Sequence, residues 1–174
     1  ISGRTGHYLR NELARTIGLD SREIRLFRSL STPERIQDFL TAMPTNFEPR
    51  GDTCYSVRAA LREDVCHCIE GAFIAAAARL LHGHKALLLD FQAHGDDDHV
   101  CALFRKDACW GAMSKSNALW LRWRDPVYSS LRELAMSCFH EYVRDDRKTL
   151  RRISARPFDI GAYDPAYWIT GEQC

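Results

Sequence analysis

The order of elements in the sequence predicts an α+β fold, and three observations carry that prediction. Residues 68 to 82 read as an alanine- and leucine-rich helix, long enough to be central and closed by Gly83. "HKALLLDFQA" follows as a continuous apolar run with the length of a buried strand. "HVCALFRK", "DA" and "CWGAMSKS" then read as strand, turn and strand. Helices and strands that segregate along the chain argue for an antiparallel sheet packed on the central helix.

The other elements follow in order. Leu9, Leu13 and Ile17 fall at i, i+4 and i+8 before Gly18, so the first thirty residues read as helical. In "STPERIQDFLTAMP", Thr32 caps a helix, Pro33 suits its first turn, and Ile36, Phe39, Leu40 and Met43 share a face. "TNFEPRGD" is a loop, "TCYSVRAALRED" a short amphipathic helix and "HGDDD" a turn. "DPVYSSLRELAMSCFHEYV" is expected as the last helix, with Asp125 as cap, Pro126 at the first position, and Leu131, Leu134, Cys138 and Tyr142 on one face. From Asp145 the tail turns basic, then aromatic, and is expected to lie irregularly across the surface. A single domain over residues 1–174 is expected, with its core roughly at 53–117.

Charge excludes some functions. The 174 residues carry 24 basic and 23 acidic side chains, a net charge of +1, which gives no electrostatic case for nucleic acid or an anionic membrane. No apolar run approaches the ~20 residues of a bilayer span. "ISGRTGHYLRN" has neither a signal-peptide core nor an initiator Met, which points to a trimmed chain. Seven cysteines without framework spacing suggest free thiols in a reducing, cytoplasmic compartment.

The chemistry concentrates in Cys66–Ala72, "CHCIEGA". As a metal site it would pair C-x-C with the later H-x-H of His82 and His84, but structural zinc prefers ligand pairs two to four residues apart. On a helix Cys66 and Cys68 would also point about 200° apart. No metal is expected there, and "HGDDDH" reads as a solvated turn. A nucleophile fits better. A thiol at a helix N-terminus meets the positive end of the helix dipole, which favours its thiolate. Cys68 opens the alanine-rich helix, and Gly71, Ala72, Ala75 and Ala76 let a sheet approach closely. His99, starting a strand after an acidic turn, is the best-placed base. His67 is expected to point elsewhere, and Glu70 has a plain reading as an outward-facing charge.

These residues resemble a known family. From about Thr53 to Ser116 the chain is similar to the catalytic core of the transglutaminase-like superfamily, a papain-like fold. Cys68-x-Glu70-x-Ala72 opens an alanine-rich helix, Gly83 closes it before "KALLLDF", and His99 opens a strand whose neighbour carries Trp110. "FLTAMPTNFEP", "DDDHVCALF" and "LRELAMSCFHEY" also resemble uncharacterised bacterial proteins with this core. The resemblance implies Cys68 as nucleophile and His99 as general base. It also implies an orienting carboxylate four residues beyond the tryptophan, where this chain has Ser114. A two-residue turn at Asp107-Ala108 would pair Lys106 with Cys109 and place Ser114 and Ser116 on the side of His99. Asn117 is a further candidate for orienting the ring, given a bulge.

The expected function is acyl transfer through a Cys68 thioester, as a peptidase, amidase or transglutaminase acting on a peptide or protein amide. No cofactor and no calcium requirement are expected, since no calcium-loop pattern appears. One alternative is an inactive domain of the same fold that binds a peptide or protein, with Ser114 in the carboxylate slot as its main support. Another is a zinc-binding module resting on "CHC".

Overall fold

A computed structural model describes residues 9–49, 51–145, 147–154 and 156–172. Among the described residues there are six α-helices: α1 (Asn11–Thr16), α2 (Ser21–Ser29), α3 (Pro33–Ala42), α4 (Val57–Glu63), α5 (Cys68–Leu81) and α6 (Leu131–Phe139). The main sheet contains β1 (Leu87–Ala93), β2 (His99–Lys106), β3 (Cys109–Met113), β4 (Trp123–Tyr128), β7 (Leu150–Ile153) and β8 (Phe158–Asp159). Its order is β4-β3-β2-β1-β7, with β8 also on β1, and every pairing is antiparallel. A two-residue ribbon, β5 (Val143–Arg144) with β6 (Arg147–Lys148), lies apart from it.

Strand alternation divides the core into two layers. Leu88, Ala102, Phe104 and Met113 pack with α5, where Ala72 and Ala75 through Ala78 are fully buried. Leu89, Cys101, Leu103 and Ala112 point the other way, onto Leu134, Ala135 and Cys138 of α6. Successive strand residues face opposite sides, so one sheet serves both helices. The expected small surface on α5 is real: a Cβ on Gly71 would lie 2.7 Å from the Cβ of Lys115, just beyond β3.

The α+β class, the central helix and the β2–β3 hairpin match expectation. Asp107 and Ala108 both have left-handed backbones (φ 50° and 66°), as a tight two-residue hairpin requires, and Lys106 pairs with Cys109.

The helical reading of the N-terminal stretch and its stop at Gly18 (φ 77°) hold as two short helices, α1 and α2, with residues 1–8 outside the described set. Other expectations fail for identifiable reasons. Asp125 does not cap a helix. It sits on β4 and accepts a hydrogen bond from Trp123 Nε1, two residues earlier on the same strand, at 2.9 Å, while Ser130 caps α6 by accepting from the Glu133 N–H. Pro126 lies on β4, at the end of the sheet order, where its missing N–H costs no ladder bond. The pairing shifts register between Trp110 and Ala112, beside Gly111, where a Cβ would come 2.8 Å from the Arg124 carbonyl oxygen.

The tail does not lie irregularly on the surface. It supplies β7 and β8 to the open side of β1, and it buries Trp168 and Ile169 against α5 and its neighbours. Five cysteines (66, 68, 101, 109 and 138) are free thiols, but Cys54 is disulfide-bonded, which departs from the all-thiol expectation. Among the described residues, no helix is long and apolar enough to cross a membrane.

Candidate active site

Cys68 is the first residue of α5, and His99 the first of β2. Both lie where an element ends, so their side chains meet at the rim of the sheet. The Cys68 thiol is 3.9 Å from the Asp98 carbonyl oxygen, and the His67 and His99 side chains beside it both favour its thiolate. Burial opposes its ionisation, yet these two imidazoles and a backbone contact at Val100 hold its pKa down to about 6. Cys66 behaves oppositely. It is fully buried beside Met43 Sδ (3.8 Å), and burial pushes its pKa up to about 12, against the pull of Lys115. The two thiols of "CHC" therefore diverge in direction and in chemistry. No group of three or more His, Cys, Asp or Glu among the described residues is placed to hold a metal ion.

His99 is buried, with its Nε2 3.0 Å from Ser114 Oγ. That hydroxyl donates to the Leu121 carbonyl oxygen at 2.7 Å and lies 3.4 Å from that of Arg122. Since its proton is directed at a carbonyl, the hydroxyl accepts from His99, which places the imidazole proton on Nε2 and leaves Nδ1 for the thiol. Ser114 is itself fixed by Gln37 of α3, whose side chain exchanges two 3.0 Å hydrogen bonds with the Ser114 main chain. Phe91 and Tyr142 support the imidazole from behind, with Phe91 6.4 Å from His99 and stacked on Tyr142 at 6.3 Å. Asn117 lines the same cleft but accepts a hydrogen bond from Thr45 Oγ1 at 2.9 Å.

Two residues depart from their expected roles. Glu70 is not an outward-facing charge: it is completely buried. Its Oε1 accepts from the Tyr55 N–H (3.0 Å) and Thr53 Oγ1 (3.2 Å), and its Oε2 from the His67 N–H (3.0 Å) and Asn46 Nδ2 (3.2 Å). One carboxylate thus fastens the loop before α4 onto the first turn of α5.

His67 does not point elsewhere. As the N-cap residue of α5 it has an extended backbone, which turns its ring back beside Cys68. Its Nε2 lies 3.1 Å from the Thr53 carbonyl oxygen, 3.3 Å from Glu48 Oε1 and 3.8 Å from Glu70 Oε1. Burial would discharge this imidazole. The thiol and Glu70, with the Thr53 carbonyl, instead raise its pKa to about 9. The only hint in the sequence was its place directly before the helix.

These groups open onto a cleft of ≈ 870 Å³ walled by Phe47 and Trp120, both largely exposed, and by Glu48, Asp52 and Asp96 to Asp98. The arrangement can hold a thiolate at neutral pH, move a proton on His99, and admit an extended substrate. No protein-family model matches the chain, and no curated protein matches it.

Proposed function

We propose that this protein is a cysteine-dependent acyl-transfer enzyme of the transglutaminase-like type, with a papain-like core and a peptide or protein amide as substrate. The observation that carries the reading is a thiol at a helix N-terminus meeting a histidine whose far nitrogen is held by Ser114. The Cys68 sulfur attacks the amide carbonyl carbon, and the oxyanion forms beside the N–H groups of the first turn of α5. The C–N bond breaks as protonated His99 gives its Nδ1 proton to the leaving amine, leaving a thioester. Water, or a second amine, then loses a proton to His99 and displaces the sulfur. Water makes the enzyme a peptidase or amidase, and an amine makes it a transglutaminase.

Ser114 supplies no charge, but it presents His99 with a hydroxyl polarised by the Leu121 and Arg122 carbonyls. That environment orients the ring and stabilises its positive charge less strongly than a carboxylate would. The alternative of an inactive binding domain rested on Ser114, and its hydrogen bond to His99 favours the enzyme reading instead. A cytoplasmic location suits the five free thiols, whereas the bonded Cys54 counts against it.

The test is thiol mapping by mass spectrometry, with iodoacetamide and with an electrophilic glutamine-like amide. At pH 6 half of Cys68 is thiolate, against about 0.3 % of a thiol with pKa ≈ 8.5. The weaker nucleophilicity of an acidic thiolate trims that ~160-fold advantage to about tenfold. Cys68 should therefore alkylate about ten times faster than an ordinary thiol, and the amide probe should label wild type but not Cys68→Ala. Equal rates at Cys68 and the half-buried Cys109, or probe labelling unaffected by His99→Ala, would refute the proposal.

A further inference from the structure

The thiol has two imidazole neighbours, and they are built differently. His99 Nε2 meets a neutral hydroxyl. His67 Nε2 meets three oxygen acceptors: the Thr53 carbonyl, Glu48 and Glu70. A nitrogen facing a carbonyl and two carboxylates carries a proton, so Nδ1 is the ring nitrogen left for Cys68. With a carboxylate on one side and a sulfur on the other, His67 has the surroundings of an imidazolium. Those surroundings are costly to assemble. Glu48 occupies a left-handed backbone (φ 51°), and its carboxylate is turned inward to accept from the Thr53 N–H at 2.6 Å as well as to face His67.

We infer that His67, backed by Glu48, is a standing cation that holds Cys68 as a thiolate, while His99 alone carries the proton that moves during the reaction. The carboxylate missing beside His99 thus has a counterpart on the other flank of the sulfur. This rests on Cys68 being the nucleophile of the proposed enzyme. The charged and titratable groups around the sulfur come from several elements. Glu70 and His67 belong to α5 and its cap, and Glu48 and Asp52 to the preceding loop. Asp98 and His99 come from the start of β2, Tyr142 from beyond α6, and Cys66 and Lys115 from below the helix. Of these, His67 and His99 are the side chains that favour the Cys68 thiolate.

The division of labour also settles the proton accounting. The proton that leaves the Cys68 sulfur resides on His99 and is the one delivered to the departing amine. His67 keeps its own proton through the cycle and needs no reloading. Its pKa of about 9, above that of the thiol, agrees with this.

The experiment is the pH profile of Cys68 alkylation by iodoacetamide from pH 4 to 10, with Cys109 as internal reference. Wild type should show its inflection near pH 6. His67→Gln should move it upward by at least one pH unit, Glu48→Gln should move it in the same direction by less, and both should retain wild-type circular dichroism. His99→Gln should keep an acidic inflection while losing amide turnover. An unmoved inflection in His67→Gln, or a larger displacement in His99→Gln than in His67→Gln, overturns the inference.

If His67→Gln fails to fold, Cys68→Ser replaces it, with the His67 ring titrated by NMR. Coupling is reciprocal, so losing the thiolate must lower the His67 pKa by the same interaction. An identical titration in wild type and Cys68→Ser refutes the pair. Neither readout needs a substrate. Failure to find amide turnover would therefore count against the proposed function, and an unmoved inflection against His67.

Discussion

Glu70 offers the most quantitative check on how the site is assembled. In Glu70→Gln one carboxylate oxygen becomes an NH2 group, and either choice leaves a main-chain donor facing a donor. If Oε2 is lost, the His67 N–H loses its acceptor and Asn46 Nδ2 loses one of its bonds; if Oε1 is lost, the Tyr55 N–H loses its acceptor and Thr53 Oγ1 keeps only Glu48. Asn46 cannot simply flip its amide to compensate, because its Oδ1 already accepts from the Glu48 N–H at 3.0 Å. An unsatisfied buried N–H costs about 1–3 kcal/mol and a lost side-chain bond roughly 1 more, so Glu70→Gln should cost about 2–4 kcal/mol. Glu70→Ala removes both acceptors and leaves a small void, for about 3–5 kcal/mol. Urea denaturation followed by circular dichroism reads this directly: with a slope of about 2 kcal/mol/M, the Gln variant's midpoint should fall by about 1–2 M. A loss below about 0.5 kcal/mol for Glu70→Gln would show that the carboxylate does not organise the loop.

Three further outcomes follow from the geometry of the site and its scaffold. Ser114→Ala removes one orienting bond to His99, so amide turnover should fall about tenfold, the worth of ~1.4 kcal/mol, while Cys68 alkylation stays fast. Ser114→Asp should not exceed wild type, because a carboxylate there would meet the Leu121 and Arg122 carbonyls that the hydroxyl now satisfies; an activity gain would refute that account. Gly71→Ala places a methyl 2.7 Å from Lys115 Cβ, whose Nζ is anchored to the Leu40 and Met43 carbonyls at the end of α3. Overpacking of this kind costs about 1–3 kcal/mol, and unchanged stability would mean that Lys115 yields freely.

What could be read from the sequence was whatever depends on neighbours in the chain. The α5 helix, β1 and the β2–β3 hairpin have local periodicity and a two-residue turn, and that turn is enough to bring Ser114 to the side of His99. The rest depends on distant partners. Gln37 grips Ser114 across 77 residues, and Asn46 reaches Glu70 across 24. Neither contact leaves a periodic trace. Helical geometry does not apply to His67, which stands outside the helix, where an extended backbone aims the ring differently. Pro126 carries an ambiguous signal, because proline suits a helix start and an edge strand equally, and only the open side of β3 selects the second.

That edge has a bearing on how the molecule behaves in company. A sheet that ends in a flat, regular strand offers its unpaired N–H and C=O groups to any other chain, and polymerisation can begin there. β4 ends this sheet with a proline that has no N–H to offer and with a register shift where it passes Gly111. The outer border is thereby a poor template for a seventh strand. The features that disguised β4 in the sequence also protect the folded protein against edge-to-edge aggregation along that side.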